Sequence, residues 1–121
     1  MTAPSALCVL LVEDDPEVRA VIAGLLTKEG YAVRAASNPF DAYYMLEEGA
    51  VDLLITDIHM AGKVGGGILA QEVSRTWPEV RILVISGFDP EPDDLPPGAQ
   101  FLAKPFGRDE LMPVVERMIK V

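Results

Sequence analysis

Hydrophobic residues along the chain form short continuous runs that alternate with stretches of helical periodicity. The runs predict buried β-strands at residues 6–12, 31–36, 51–56, 80–86 and 100–103. Between the runs, apolar residues recur at spacings of three and four, which is typical of helices that bury one face. The first such stretch predicts one core-facing stripe made of Val18, Val21, Ile22, Leu25 and Leu26.

Helix start and stop signals agree with this division. Asp15-Pro16 and Asn38-Pro39 read as N-cap residues followed by a proline at the first helical position, and Gly30 and Gly49 read as helix ends. Alternation of strands and helices predicts an α/β domain, with a parallel sheet covered by helices on both faces.

The alternation fails in one place, between the fourth and fifth predicted strands. Residues 88–98, FDPEPDDLPPG, contain four prolines and four acids. Prolines at this density leave no run long enough for a stable helix. We therefore expect an irregular segment that is mobile at rest.

Composition narrows the possible functions. The 121 residues predict one domain, 1–121, and the formal charge of −9 argues against a general nucleic-acid or anionic-membrane surface. No apolar run is long enough to span a bilayer, and the first residues lack a basic secretory signal, so we expect a cytoplasmic protein. Cys8, the only cysteine, lies in an apolar run and is expected to be a buried, unreactive thiol.

Polar residues follow most of the predicted strands. Ligands of open parallel sheets bind outside the carboxyl ends of the strands. Those ends carry Glu13, Asp14, Asp15, Asp57, Ser86 and Lys104. Each has an ordinary interpretation as a cap, turn or surface residue, which we accept for Asp15. Together they predict an acidic cluster with one lysine and one hydroxyl.

The chemistry of such a cluster is restricted. Carboxylates about 4 Å apart repel by roughly 4 kcal/mol at an effective dielectric near 20, so they must share protons, pair with Lys104 or hold a cation. Oxygen donors without histidine or cysteine suit Mg²⁺. A lysine, a hydroxyl and Mg²⁺ together suit the stabilisation of a transferring phosphoryl group, with a carboxylate as nucleophile.

At these residues the sequence resembles the receiver domain of two-component response regulators. The resemblance covers nearly the whole chain through LLVEDDPEVR, DLLITDIHMAG, ILVISG and FLAKPF. It implies a flavodoxin-like, doubly wound, five-stranded parallel sheet of order 2-1-3-4-5, with the helix between strands four and five degenerate.

The resemblance also implies a role for each site residue. Asp57 resembles the phosphorylated residue, and Glu13, Asp14, Asp57 and the backbone carbonyl of His59 resemble the ligands of Mg²⁺ or Mn²⁺. Lys104 and Ser86 resemble the groups that bind the phosphoryl group, and Phe101 resembles the aromatic residue that moves with them. Pro105 would follow a cis peptide bond.

The implied function is a phosphoryl-accepting signalling receiver rather than an enzyme, with Mg²⁺-dependent self-phosphorylation and slow self-dephosphorylation only. Its implied donor is a histidine kinase or a histidine phosphotransfer protein, in a phosphorelay that involves no nucleic acid or membrane directly. We expect a monomer or a weak phosphorylation-dependent dimer, and a downstream protein partner that the sequence does not identify.

Two other functions remain open from the residues alone. One is a receiver fold that acts as an unphosphorylated docking scaffold. The other is a haloacid-dehalogenase-like phosphatase, which needs a second aspartate two residues after its nucleophile, where this chain has His59.

Two departures from the family pattern concern loops. Ala61 stands where a proline is usual, and the glycines that follow it predict a mobile turn after Asp57. Residues 88–98 replace the helix that receivers commonly use for output. We expect phosphorylation of Asp57 to reorder this segment through Ser86 and Phe88.

Overall fold

The computed structural model describes residues 7–59 and 66–119. Five strands lie within these ranges: β1 (Cys8–Val12), β2 (Ala32–Ala36), β3 (Leu53–Asp57), β4 (Arg81–Ser86) and β5 (Gln100–Ala103). The helices are α1 (Pro16–Lys28), α2 (Pro39–Glu48), α3 (Gly66–Thr76) and α4 (Arg108–Ile119). The strands pair in parallel in the order β2-β1-β3-β4-β5, which confirms the predicted doubly wound fold.

Two apolar clusters bury the sheet, one on each face. Successive strand residues point to opposite faces, so Leu10 and Val12 of β1 join the cluster under α2 and α3. Val9 and Leu11 join the cluster under α1 and α4. Because both faces are covered, the central strands are continuously hydrophobic instead of alternating, as their sequences indicate.

Side-chain caps fix the starts of α1 and α2 at the carboxyl edge of the sheet. Asp15 Oδ1 accepts the backbone N–H groups of Glu17 and Val18 at 2.9 and 3.2 Å. Asn38 Oδ1 accepts the N–H of Asp41 at 2.9 Å. These bonds satisfy helix-end donors that would otherwise lack partners. Asp15 is thereby used as a cap, and the turn between β1 and α1 stays short.

The predicted core stripe of α1 is too wide by one residue. Ile22 and Leu26 are buried, whereas Val21 is 61% exposed. Neighbouring residues on a helix are about 100° apart, so Val21 points well away from the direction of Ile22. Ile68 of α3 is 54% exposed beside the buried Leu69 for the same reason.

The segment between β4 and β5, all of it described, contains a single 3₁₀ turn, Pro92–Asp94, and no α-helix. The Asp94 carboxylate accepts the N–H of Glu91 at 2.8 Å, and the N–H of Asp94 donates to the carbonyl of Glu91 at 2.9 Å. The turn is thus closed on itself, and the flanking prolines cannot donate the bonds of a longer helix.

This 3₁₀ turn packs against α3. Gln71 Nε2 donates to the carbonyl of Asp93 at 2.7 Å, and a Cβ placed on Gly67 would come within 2.4 Å of Asp94 Oδ1. Leu95 packs on the core, and Pro96 is buried. These contacts hold the segment to α3, and any mobility of the segment, which stays a prediction, requires them to open.

The predicted mobile turn after Asp57, with Ala61 and the glycines before Gly66, falls in residues 60–65 and lies outside the described residues. In the parts of the chain that are described, no helix combines the length and the apolar character needed to cross a bilayer.

Alanine at Gly67 is expected to stabilise the protein less than alanine at a matched glycine. Gly24 in α1 is the control, because nothing lies within 4 Å of a Cβ added there. Gly24→Ala should raise the free energy of unfolding by about 0.5–1 kcal/mol through helix propensity. Gly67→Ala displaces the Asp94 carboxylate and loses a hydrogen bond that contributes roughly 1 kcal/mol, which cancels the gain.

Urea unfolding measures both variants. In the Asp94→Ala background, Gly67→Ala should add the full gain of about 0.5–1 kcal/mol, since the obstructing carboxylate and its hydrogen bond are already absent. Equal stabilisation by Gly67→Ala and Gly24→Ala would show that Asp94 does not pack on Gly67.

Candidate functional site

Three carboxylates meet at the carboxyl edge of β1 and β3. Glu13 and Asp14 follow β1 directly, and Asp57 is the last residue of β3. One ligand oxygen from each lies within 4.8 Å of the other two. Glu13 and Asp57 are buried and Asp14 is half-buried. Since β1 and β3 are neighbours and parallel, their ends meet, and the acidic cluster predicted from the sequence forms.

Lys104 lies between two of these carboxylates. Its Nζ donates to Glu13 Oε1 at 2.5 Å and to Asp57 Oδ2 at 2.6 Å. Its backbone N–H donates to the carbonyl of Ser86 at 2.8 Å, which continues the pairing of β4 with β5. The peptide bond between Lys104 and Pro105 is cis. The lysine therefore joins the ends of β1, β3 and β5 in one ionic contact.

The pKa values of Glu13 and Lys104 are set by burial and by the hydrogen bonds between them. Burial raises the pKa of Glu13 above its ordinary value, and the hydrogen bonds from Lys104 and from the Asp15 backbone oppose this only in part. Burial by itself lowers the pKa of Lys104, but its hydrogen bonds to Asp57 and Glu13 outweigh burial, so the pKa of Lys104 is raised. The lysine is therefore held in its charged form.

Charge and donor type at the site both fit a divalent cation. Three carboxylates and one ammonium leave an excess of two negative charges when all are ionised. The ligand atoms of the cluster are all carboxylate oxygens. Mg²⁺ and Mn²⁺ prefer such hard oxygen donors. Glu13, Asp14 and Asp57 could hold either ion.

Asp57 is oriented from two sides. Its Oδ1 accepts the backbone N–H of His59 at 2.9 Å, and its Oδ2 accepts the Lys104 ammonium. Asp15 lies beside the cluster but has a different role, because its carboxylate caps α1 and its backbone N–H donates to Glu13 Oε2 at 3.2 Å. Asp57 and Glu13 therefore belong to the cluster itself, whereas Asp15 supports it from the start of α1.

Ser86 and Phe101 occupy the neighbouring strands. Ser86 ends β4 and is fully buried, and its Oγ accepts the N–H of Phe88 at 3.0 Å. Phe101 lies opposite Val84 in the β4–β5 pairing and packs, half-buried, against the cluster under α2 and α3. The Ser86 hydroxyl is thus hydrogen-bonded within the turn that follows β4, and β4 lies next to β3, which ends in Asp57.

Sequence reasoning missed two contacts around the site. The rings of His59 and Phe88 meet edge to face with centroids 5.1 Å apart, which joins the loops after β3 and β4. Arg19 Nη1 donates to the carbonyl of Glu13 at 2.8 Å. No periodicity signals a pair between two loops, but the Arg19 contact had a signal: helical side chains lean towards the N-terminus, and α1 begins just after Glu13.

Known proteins resemble this chain over nearly its full length. A sequence model described as the response regulator receiver domain matches residues 9–116. The response regulator receiver protein CpdR of Brucella abortus is 36% identical over 115 residues, which cover 92% of this chain and 95% of CpdR.

Two further relatives differ in how much of them is matched. The sensor kinase CckA of Brucella abortus is 34% identical, and the match covers 93% of this chain but only 12% of CckA. The crystal structure of the response regulator TrrA of Thermotoga maritima, in complex with Mg²⁺-BeF, superposes with a TM-score of 0.83 at 29% identity. That match covers 92% of this chain and 97% of TrrA.

The sheet order, the position of the acidic cluster and the extent of these matches agree with one another. The chain belongs to the family of response regulator receiver domains, which are signalling modules of two-component systems.

Proposed function

We propose that Asp57 accepts a phosphoryl group from a histidine kinase or a histidine phosphotransfer protein in a Mg²⁺-dependent reaction. One observation carries the proposal: Asp57 lies within 4.8 Å of Glu13 and Asp14 while Lys104 donates to it at 2.6 Å. The proposed nucleophile, Asp57, thus lies next to both a candidate cation site and the ammonium of Lys104. That TrrA binds Mg²⁺-BeF adds support from a relative of the same fold.

The reaction exchanges one bond to phosphorus for another. A carboxylate oxygen of Asp57 attacks phosphorus, the P–N bond of the donor phosphohistidine breaks, and its electron pair stays on the imidazole nitrogen. Mg²⁺, bound through Glu13, Asp14, Asp57 and the carbonyl of His59, would offset negative charge on the transferring group. Lys104 is placed to pair with a phosphoryl oxygen, and the chain itself catalyses only this step and slow hydrolysis.

The switch follows from the added charge. A phosphoryl group brings between about one and two negative charges and strong acceptors to Asp57. Ser86 would rotate towards it and give up the bond to the N–H of Phe88. Phe88 is the first residue of the 88–98 segment, and Phe101 lies on β5 opposite Val84, two residues before Ser86 on β4. Movement of Ser86 acts on Phe88 through this bond, and the resemblance to the family implies that Phe101 moves with it. The change biases a protein-interaction surface.

A phosphohistidine donor must reach Asp57 from outside, and an apolar hollow beside Lys104 suits its approach. The hollow has a volume of ≈330 Å³ and is lined by α1 and by the loop after β5, with Glu17, Val18, Val21, Ile22, Lys104, Pro105 and Phe106. Val21 is 61% exposed there, which gives a donor protein apolar surface to bury.

The alternative functions are less well supported. A scaffold that is never phosphorylated has no need of Lys104 bonded between Glu13 and Asp57. A haloacid-dehalogenase-like phosphatase requires an acid two residues after its nucleophile. Here that residue is His59, which is exposed and whose ring contacts Phe88.

Incubation with Mg²⁺ and acetyl phosphate is expected to add one phosphoryl group to the protein, measured by intact-mass spectrometry. Asp57→Asn should give no adduct. The control Asp109→Asn removes the same charge from a side chain that is 89% exposed in α4, and it should leave the adduct unchanged. Chelation of Mg²⁺ should slow the reaction by about a hundredfold or more, because a metal contributes several kcal/mol to such steps. An equal adduct on Asp57→Asn would contradict the proposal.

Beryllofluoride with Mg²⁺ is expected to change amide hydrogen exchange in residues 88–98. The N–H of Phe88 should exchange faster, because it loses its bond to Ser86 Oγ. In Ser86→Ala this amide should exchange fast already, and the response of the segment should shrink. Unchanged amide hydrogen exchange in residues 88–98 of the wild type would show that Ser86 and Phe88 do not take part in the switch.

Val21→Glu is expected to slow phosphotransfer from the donor protein by about tenfold to a hundredfold, because a partner would have to bury an unpaired charge. Phosphorylation by acetyl phosphate should be unaffected. Phe40→Glu is the control, since Phe40 is 64% exposed on α2, across the sheet from α1. Equal rates for wild type and Val21→Glu would show that the donor does not use this hollow.

A further inference from the structure

Arg19 is tied to the acidic turn at two points. Its backbone N–H donates to the carbonyl of Asp15 at 2.8 Å. Its guanidinium Nη1 donates to the carbonyl of Glu13 at 2.8 Å and lies 3.5 Å from the carbonyl of Asp14. The side chain is half-buried. A guanidinium held in this way restrains the backbone of the turn from which Glu13 and Asp14 project.

The turn needs such a restraint for an electrostatic reason. It carries three consecutive acids, Glu13, Asp14 and Asp15, and two of these join Asp57 in the cluster. Lys104 acts on the carboxylates of Glu13 and Asp57. Arg19 acts on backbone carbonyls instead, and it brings a second positive charge to the same turn. Lys104 therefore stabilises the side-chain carboxylates, and Arg19 stabilises the backbone of the turn.

Arginine is better suited than lysine to this position. Both contacts come from Nη1, and the planar guanidinium holds the N–H groups of this nitrogen in fixed directions towards the carbonyls of Glu13 and Asp14. A lysine carries the same charge on a flexible stem, and its ammonium has no fixed donor direction. The identity of the side chain, beyond its charge, should therefore matter.

We propose that Arg19 is a positioning residue that sets the affinity of the site for its divalent cation. The inference rests on the proposed function, because it takes Glu13 and Asp14 as metal ligands. Mg²⁺ demands near-ideal octahedral geometry, so displacement of the turn weakens binding. Loss of an outer contact that orients metal ligands typically costs tenfold to a hundredfold in affinity. The phosphoryl step itself depends on Asp57 and Lys104, whereas the Arg19 guanidinium bonds to the carbonyls of Glu13 and Asp14.

Titration with Mn²⁺, followed by electron paramagnetic resonance of the free ion, tests the proposal directly. Arg19→Gln is expected to raise the Mn²⁺ dissociation constant by about tenfold to a hundredfold. Arg19→Lys should raise it less. The matched control is Arg34→Gln, which changes net charge equally but breaks only the exposed ion pair with Glu48. That control should shift the constant by less than about threefold.

Phosphorylation by acetyl phosphate at increasing Mg²⁺ gives a second measurement. For Arg19→Gln the Mg²⁺ concentration at half-maximal rate should rise in step with the Mn²⁺ constant, while the rate at saturating Mg²⁺ stays near that of the wild type. Urea unfolding checks that the variants are folded. If Arg19→Gln is unfolded, Arg19→Lys carries the test, with an expected shift of a few fold at unchanged stability.

Several results would overturn the proposal. Equal shifts of the Mn²⁺ dissociation constant in Arg19→Gln and Arg34→Gln would show that only net charge matters. A wild-type dissociation constant in Arg19→Gln would show that Arg19 does not position the metal ligands. A lower rate that persists at saturating Mg²⁺ would make Arg19 part of the chemistry. In each of these cases the wild type still binds Mn²⁺ and is phosphorylated on Asp57, so the proposed function is retained. If the wild type neither binds Mn²⁺ nor is phosphorylated, the proposed function and the role of Arg19 are both wrong.

Discussion

The ammonium of Lys104 between Glu13 and Asp57 is the contact on which this domain's functional edge depends. Three strands that are distant in sequence end at this point, and two of them end in buried carboxylates. Without a cation these charges would repel one another across a poorly solvated gap, and removing one partner of such a buried pair typically costs about 3–5 kcal/mol. The lysine allows three carboxylates to lie close together at this edge of the sheet.

Much of this arrangement could be predicted from the sequence, because it depends on periodicity and on strand ends. Continuous apolar runs identified the strands, and residues at or just after the ends of β1, β3 and β5 form the site. The missed features depend on side-chain direction and on contacts between loops. Val21 is exposed although its spacing fits a core stripe, and the His59–Phe88 contact joins two segments without periodic patterns. Spacing alone contains neither kind of information.

The stretch between β4 and β5 changes what the family fold offers to partners. A compact 3₁₀ turn is held to α3 through Gln71 and Asp94, and Leu95 packs on the core beneath it. Its surface is acidic and lacks the regular face of a helix, on which apolar residues recur each turn. A partner that recognises a helical face on other receivers would find a different shape and charge here.

The close approach of Asp94 to Gly67 has a consequence for how this sequence can diverge. The two positions lie in different elements and share one small volume, so position 67 is not free to gain a side chain while Asp94 stays in place. A side chain at position 67 is compatible with a shorter residue at 94 or with a turn that sits farther from α3. Among relatives that keep the proline-rich turn, those with aspartate at the position of Asp94 should also keep glycine at the start of α3. Relatives with a full helix in this place have no reason to preserve the pair.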